Sequence, residues 1–107
     1  MKEYAAVRDR SRARMHPGKL LREVVLPAID KPKTEIAKLL GVSRQTLYDI
    51  IAEKQPVTAA MAVRMGKLFG NGPRLWLNLQ SSYDIAVEEK KLATVIEKIP
   101  TLEVEAA

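Results

Sequence analysis

The chain has 107 residues, of which 47% are hydrophobic and 29% are charged, a composition that fits one folded domain. It has no cysteine, which excludes disulfides, thiolate zinc sites and a cysteine nucleophile, and no apolar run approaches the roughly 20 residues of a membrane span. The formal net charge of +5 favours polyanionic partners such as nucleic acid, although many soluble domains carry as much charge.

Residues 1–15 are polar and basic, with arginine at every second position from Arg8 to Arg14. This composition is typical of a solvated, flexible arm. The alternative is an arm that follows DNA phosphates or wraps a partner. The segment lacks the apolar core of a signal peptide, so we expect a cytoplasmic protein without a membrane partner.

The first helix of a domain over residues 16–99 is predicted to begin at His16-Pro17, because proline at the first helical position costs no hydrogen bond. Pro27 ends or bends this helix. His16 caps or packs at its start. As the single histidine of the chain it is a poor metal or catalytic candidate. The buried face is predicted to hold four aliphatic side chains: Leu20, Leu21, Val24 and Val25.

Residues 33–51 have the pattern of a helix-turn-helix. Gly41 suits a turn that needs a positive φ, Val42 fills the angle between the helices, and Ser43 caps the second helix. Apolar residues at helical spacing predict the inward faces. These residues are Ile36, Leu39 and Leu40 on the first helix, and Leu47, Ile50 and Ile51 on the second.

The outer face of the second helix suits a DNA groove. Arg44 and Gln45 lie in its first turn, and both can pair bidentately with base edges. Tyr48, one turn further on, can stack on a sugar, touch a thymine methyl or bond a phosphate. Asp49 could accept from a cytosine amino group, orient Arg44 or Arg22, or stay in solvent. The motif therefore indicates sequence-specific binding to double-stranded DNA.

Phosphate contacts are expected around the ends of the two helices. Lys33 and Thr34 begin the first helix, where free N–H groups and the helix dipole attract phosphate; Thr34 is also its predicted N-cap. Ser43 and Thr46 are short hydroxyl donors at the start of the recognition helix, and Lys54 follows that helix. Because one module offers few base contacts, a two-fold dimer on half-sites roughly 10 bp apart is expected.

Two further helices complete the predicted fold. Thr58 caps the fourth helix, which Gly70-Asn71-Gly72 ends, and a long fifth helix starts at Pro73. Its apolar stripe indicates packing on the first and fourth helices, or in addition a dimer seam. A short amphipathic stretch over residues 92–99 precedes a tail, residues 100–107. The fourth helix is predicted to bury a small-residue face: Ala59, Ala62, Val63, Met65, Gly66 and Phe69.

Three further blocks accompany the helix-turn-helix: H-P-G-K-L-L-R-E at 16–23, V-T-A-A-M-A-V-R-M-G-K-L-F-G at 57–70 and P-R-L-W-L-N-L-Q-S-S-Y-D at 73–84. In this order they resemble the HigA-type antitoxins, also called the VapI or addiction-module antidote group, over roughly residues 15–92. The resemblance implies an all-α, five-helix lambda-repressor-like domain that forms a homodimer on a palindromic operator in its own promoter. It also implies a HigB-type partner, an mRNA-cleaving toxin of the RelE kind, neutralised by direct binding.

The resemblance assigns site residues position by position. The recognition helix corresponds to Ser43, Arg44, Gln45, Thr46 and Tyr48, and the anchor to Lys33 and Thr34, where glutamine is more usual at the first. Gly72 stands where a serine or threonine cap is usual. The dimer interface implied by the resemblance contains Trp76, Leu79 and Tyr83, and the apolar stripe of the fifth helix adds Leu75.

Two alternatives remain at this stage. One is an orphan transcriptional regulator of the same fold without a toxin partner; the other is a protein-interaction module built on the fifth helix. An enzyme is not expected, because no nucleophile with a base, no metal-spaced ligand set and no phosphate loop is present. We therefore expect no cofactor, no metal and no catalytic residue.

Overall fold

The computed structural model describes residues 15–104, which contain six α-helices and no strand. This confirms the predicted all-α class with a long fifth helix. The predicted arm, apart from Met15, and the end of the tail lie outside the described residues. Across these residues, none of the helices combines the length and the hydropathy of a membrane span. The helices are α1 (Pro17–Leu20), α2 (Lys33–Leu40), α3 (Arg44–Ile51), α4 (Ala59–Phe69), α5 (Pro73–Lys91) and α6 (Ala93–Lys98).

The first helical segment changes its geometry along its length. After α1 the chain continues as a π-helical segment, Leu21–Val25, and then a 3-10 turn, Leu26–Ala28, that contains Pro27. Val24, predicted to be buried, is 58% exposed. The prediction was wrong because side chains in a π-helical segment no longer follow the 3.6-residue period on which it rested.

The H-P-G block, residues 16–18, packs the start of α1 against the end of α3. The Nδ1 atom of His16 accepts a hydrogen bond of 2.9 Å from the backbone N–H of Gly18, which confirms His16 as a cap. Pro17 occupies the first helical position. A Cβ atom on Gly18 would overlap the carbonyl oxygen of Ile50. Each of the three residues therefore has a separate physical role in this contact.

The stability of the protein is expected to fall as the pH drops below about 6.5, the ordinary pKa of histidine. Burial lowers the pKa of His16, against the opposing effect of Glu53 and Asp84. The unfolded chain therefore binds a proton that the folded chain resists, so stability is full above that pH and declines below it. His16→Asn keeps a capping oxygen without titrating there and should reduce the decline. Urea-denaturation midpoints at pH of about 7.5 and about 5.5 measure this loss of stability. Equal losses in the wild type and in His16→Asn would contradict the role of His16.

The aliphatic core predicted from the composition is confirmed, but three side chains besides Val24 that were assigned to it are exposed. Leu39 is 52% exposed. Successive side chains of an α-helix are rotated by about 100°, which places Leu39 about 100° around α2 from the centre of the buried face. Ala59 and Val63 are exposed on α4 for the same reason. The core consists of Leu20, Leu21, Ile36, Ala37, Leu40, Leu47, Ile50, Ile51, Val57, Met61, Ala62, Met65, Trp76 and Leu79.

Two residues of the predicted dimer interface belong to the core of the protomer. Trp76 is 0% exposed, and its indole N–H donates a 2.9 Å hydrogen bond to Oδ1 of Asn71. Leu79 is also buried. Both side chains therefore pack within the protomer, and for them too a dimer interface stays a prediction. Leu75 and Tyr83 are half-buried, and for them an interface stays a prediction.

A buried amide ties the loop after α3 to α5. Oε1 of Gln80 accepts a 2.7 Å hydrogen bond from the backbone N–H of Val57, and its Nε2 donates to Asp84 at 2.9 Å. Both ends of the amide are therefore satisfied, as a buried polar group requires. This contact explains the polar residue at the end of the W-L-N-L-Q block.

Candidate nucleic-acid interface

The turn between α2 and α3 has the predicted construction. Gly41 adopts φ +75°, and the N–H of Val42 donates to the carbonyl of Ala37 at 3.1 Å. Arg64, from α4, donates to the carbonyl of Leu40 at 2.8 Å. Carbonyl groups at the end of α2 thus have partners, and the direction in which α3 leaves the turn is fixed.

Ser43 caps α3 as predicted. Its Oγ accepts a 3.0 Å hydrogen bond from the backbone N–H of Thr46 and donates to Oγ1 of the same residue at 2.9 Å. The hydroxyl of Ser43 is therefore engaged within the helix. The hydroxyl proton of Thr46 is left for an outside acceptor, so of the two predicted hydroxyl donors Thr46 is the better placed.

The outer face of α3 presents Arg44, Gln45 and Tyr48 to solvent, while Leu47 on the opposite face is fully buried. Nε2 of Gln45 donates to Oδ1 of Asp49 at 2.8 Å. Asp49 thus pairs with Gln45, a partner outside the predicted alternatives, and not with Arg44 or Arg22. Gln45 keeps its carbonyl oxygen and one N–H for another partner.

Arg22 holds the far end of α3, a role that the sequence did not reveal. Its guanidinium donates to the carbonyl of Ile51 at 2.6 Å and pairs with Glu53 at 3.1 Å. Glu53 adopts φ +63° directly beyond the helix, the left-handed conformation that commonly ends helices. Because the hydrogen bond joins residues 29 positions apart, no local pattern could predict it.

The start of α2 is also exposed, but its cap differs from the prediction. The N-cap is Pro32, and α2 begins at Lys33 without a side-chain cap, so the prediction of Thr34 as N-cap was wrong. Thr34 is the second residue of the helix and its side chain faces solvent. Lys33 and Lys54 are exposed, and across residues 15–104 neither they nor Arg44 form an ion pair with a carboxylate.

The part of the chain that the structure describes holds no group of three or more histidine, cysteine, aspartate or glutamate residues arranged for a metal ion. What α2 and α3 present together is an exposed surface of cations, an amide and hydroxyls on two helices joined by a hydrogen-bonded turn. Such a surface can offer hydrogen bonds to base edges and positive charge to phosphates.

Comparisons with known proteins agree with this geometry. A helix-turn-helix family model matches residues 21–77. Virulence-associated protein I of Dichelobacter nodosus is 34% identical over 86 residues, which cover 80% of this chain and 80% of that protein. The Pseudomonas aeruginosa antitoxin HigA, solved with the higBA promoter, superimposes with a TM-score of 0.78 at 33% identity over 85% of this chain and 99% of that chain.

A second structure supports the same assignment. An addiction module antidote protein of the HigA family from Coxiella burnetii gives a TM-score of 0.76 at 34% identity, covering 84% of this chain and 98% of that chain. In all three comparisons, the match covers most of the length of the related protein. The chain therefore belongs to the helix-turn-helix family, within the group of HigA-type antitoxins.

Proposed function

We propose that this protein is a homodimeric repressor that binds a palindromic operator in the promoter of its own operon. The observation that carries the proposal is the two-sided character of α3. One face is buried in the core, and the other exposes Arg44, Gln45 and Tyr48, whose side chains form no hydrogen bond within residues 15–104 other than that between Gln45 and Asp49. The HigA relative solved with a promoter has the same fold, which supports DNA as the ligand.

In this function α3 lies in the major groove and α2 rests on the backbone. Arg44 donates to a guanine edge and Gln45 bonds an adjacent base. Lys33, Thr34, Thr46 and Lys54 contact phosphates, which fix the register without reading sequence. Ser43 contributes by holding the first turn of α3, rather than by donating to DNA itself.

The homodimer follows from the small number of base contacts that one module can make. Two copies on adjacent half-sites double those contacts, and their spacing adds specificity. The partly exposed surfaces of Leu75 and Tyr83 remain our candidates for the contact between copies, although Tyr83 also packs edge-on against His16, with ring centroids 5.1 Å apart.

We also propose that the protein neutralises a HigB-type, mRNA-cleaving toxin by direct binding. The group of antitoxins to which the chain belongs supports this. Co-expression with a toxin gene from its own operon should restore growth that the toxin alone prevents. Growth arrest that persists at full antitoxin expression would favour the alternative of an orphan regulator without a toxin.

Arg44→Ala is expected to weaken binding to a duplex from the protein's own upstream region by about 1–3 kcal/mol, because one base-edge contact is lost. Binding to a scrambled duplex should change little. Lys67→Ala, an exposed lysine on α4, is the control and should leave both affinities unchanged. Fluorescence anisotropy at two salt concentrations measures the effect, since phosphate contacts make affinity salt-dependent.

The two ways in which this test can fail differ in meaning. An equal loss on both duplexes would show that Arg44 contacts phosphate rather than a base. Wild-type binding that is weak, and that disappears equally on both duplexes at higher salt, would contradict the repressor function and favour the protein-interaction module.

A further inference from the structure

A groove separate from the helix-turn-helix lies where α6 folds against the end of α5. We call it the acidic groove. It has a volume of about 240 Å³ and is lined by three carboxylates and three aliphatic side chains: Asp84, Ile85, Glu88, Glu89, Leu92 and Ile96. No residue of α2 or α3 lines it.

The apolar part of the groove is open to solvent. Ile85 is 57% exposed and Ile96 is 44% exposed, and no residue of α6 is buried. A helix of six residues is too short to be stable by its own hydrogen bonds. The exposed aliphatic side chains share one groove with a polar rim, an arrangement found at protein-interaction sites. The packing of the protomer alone therefore does not account for α6.

The charge of the groove selects the kind of partner. All its charged lining residues are carboxylates, although the chain carries a net charge of +5. Such a rim repels DNA phosphates. It also disfavours a second copy of the same groove, since carboxylates would face carboxylates across the contact. Lys91 lies nearby, 3.6 Å from Glu88, but does not line the groove.

We propose that the acidic groove binds an amphipathic helix of a basic protein. Aliphatic side chains of that helix would pack between Ile85, Leu92 and Ile96, while its lysines and arginines pair with Asp84, Glu88 and Glu89. The inference rests on the proposed function in one respect, because the neutralised toxin is the partner that this surface would bind. Since no residue of α2 or α3 takes part, the partner and DNA can be bound together.

The test uses the whole protein and a fluorescent synthetic helix of about 18 residues, built from leucine on one face and lysine on the other. We expect this probe to bind at least about ten times more tightly than the matched leucine–glutamate helix. Ile96→Ser should weaken binding about tenfold or more, as should the double variant Glu88→Lys/Glu89→Lys. Val63→Ser removes an aliphatic side chain of α4 that is 59% exposed and lies outside the groove, and it should change nothing.

Three results would overturn the inference. The two helices could bind equally, the groove variants could bind the probe as the wild type does, or Ile96→Ser could turn a dimer into a monomer in sedimentation experiments. The last result would assign the groove to a second copy. Operator binding is measured on the same variants and should be unchanged. A wild-type protein that does not bind the operator would contradict the repressor function alone. A failure of the acidic-groove proposal can therefore be told apart from a failure of the repressor proposal.

Discussion

Gly18→Ala is expected to lower the free energy of unfolding by at least about 3 kcal/mol, the upper end of the cost of overpacking. The added Cβ would overlap the carbonyl oxygen of Ile50, which is backbone and cannot move without displacing α3. Alanine forms helices more readily than glycine by about 1 kcal/mol, which is too little to compensate. Urea denaturation of the two proteins measures the difference.

Gly70→Ala is the matched control for this substitution. Gly70 has φ +78°, and a Cβ added there would have no heavy atom within 4 Å, so alanine meets backbone strain of about 1–2 kcal/mol and no clash. Similar losses at positions 18 and 70 would show that the close approach of α1 to α3 contributes little. A shifted α3 should also lower operator affinity in Gly18→Ala at temperatures where the protein stays folded.

Trp76→Ala is expected to lower the free energy of unfolding by about 3–5 kcal/mol, the usual cost of truncating a large buried aromatic side chain. The indole is fully buried and its N–H is bonded to Asn71. Trp76→Phe retains most of the ring and should cost less. Chemical denaturation followed by circular dichroism suits all three proteins, because it does not depend on the fluorescence of the tryptophan that is replaced.

Measurements at several protein concentrations distinguish a core role of Trp76 from a role in the dimer seam that the resemblance implies. A residue of the core changes the unfolding free energy of each protomer by the same amount at every concentration. A residue of a dimer seam shifts the midpoint in a concentration-dependent way, because it acts through association. A loss from Trp76→Ala that vanishes on dilution would therefore contradict the placement of Trp76 in the core.

The features that the sequence predicted well depend on neighbouring residues. Gly41 and Gly70 adopt the positive φ that ends their helices, and Ser43 and Thr58 accept hydrogen bonds from the backbone N–H three residues later. Helical periodicity also placed Arg44, Gln45 and Tyr48 on the exposed face of α3. Their contacts with DNA remain predictions, because exposure alone does not identify a ligand.

The errors arose where distant parts of the chain decide the outcome. Periodicity assumed a regular first helix, but the π-helical turn rotated Val24 into solvent. An apolar stripe on α5 marked residues that pack against a neighbour, without showing whether that neighbour is α4 or another copy, so the burial of Trp76 within the protomer could not be predicted. The hydrogen bond from Arg22 to the carbonyl of Ile51 at the end of α3 depends on tertiary packing, which no local sequence pattern encodes.

The separation of the two faces of α3 has a consequence for how such proteins diverge. Exposed substitutions outside special contacts usually change stability by less than about 0.5 kcal/mol, so positions 44, 45 and 48 can mutate while the scaffold persists. Gln45 and Asp49 share a hydrogen bond and are not independent in this way. In a lineage that acquires a new operator, we expect residues 45 and 49 to change together and residue 44 to change independently of them.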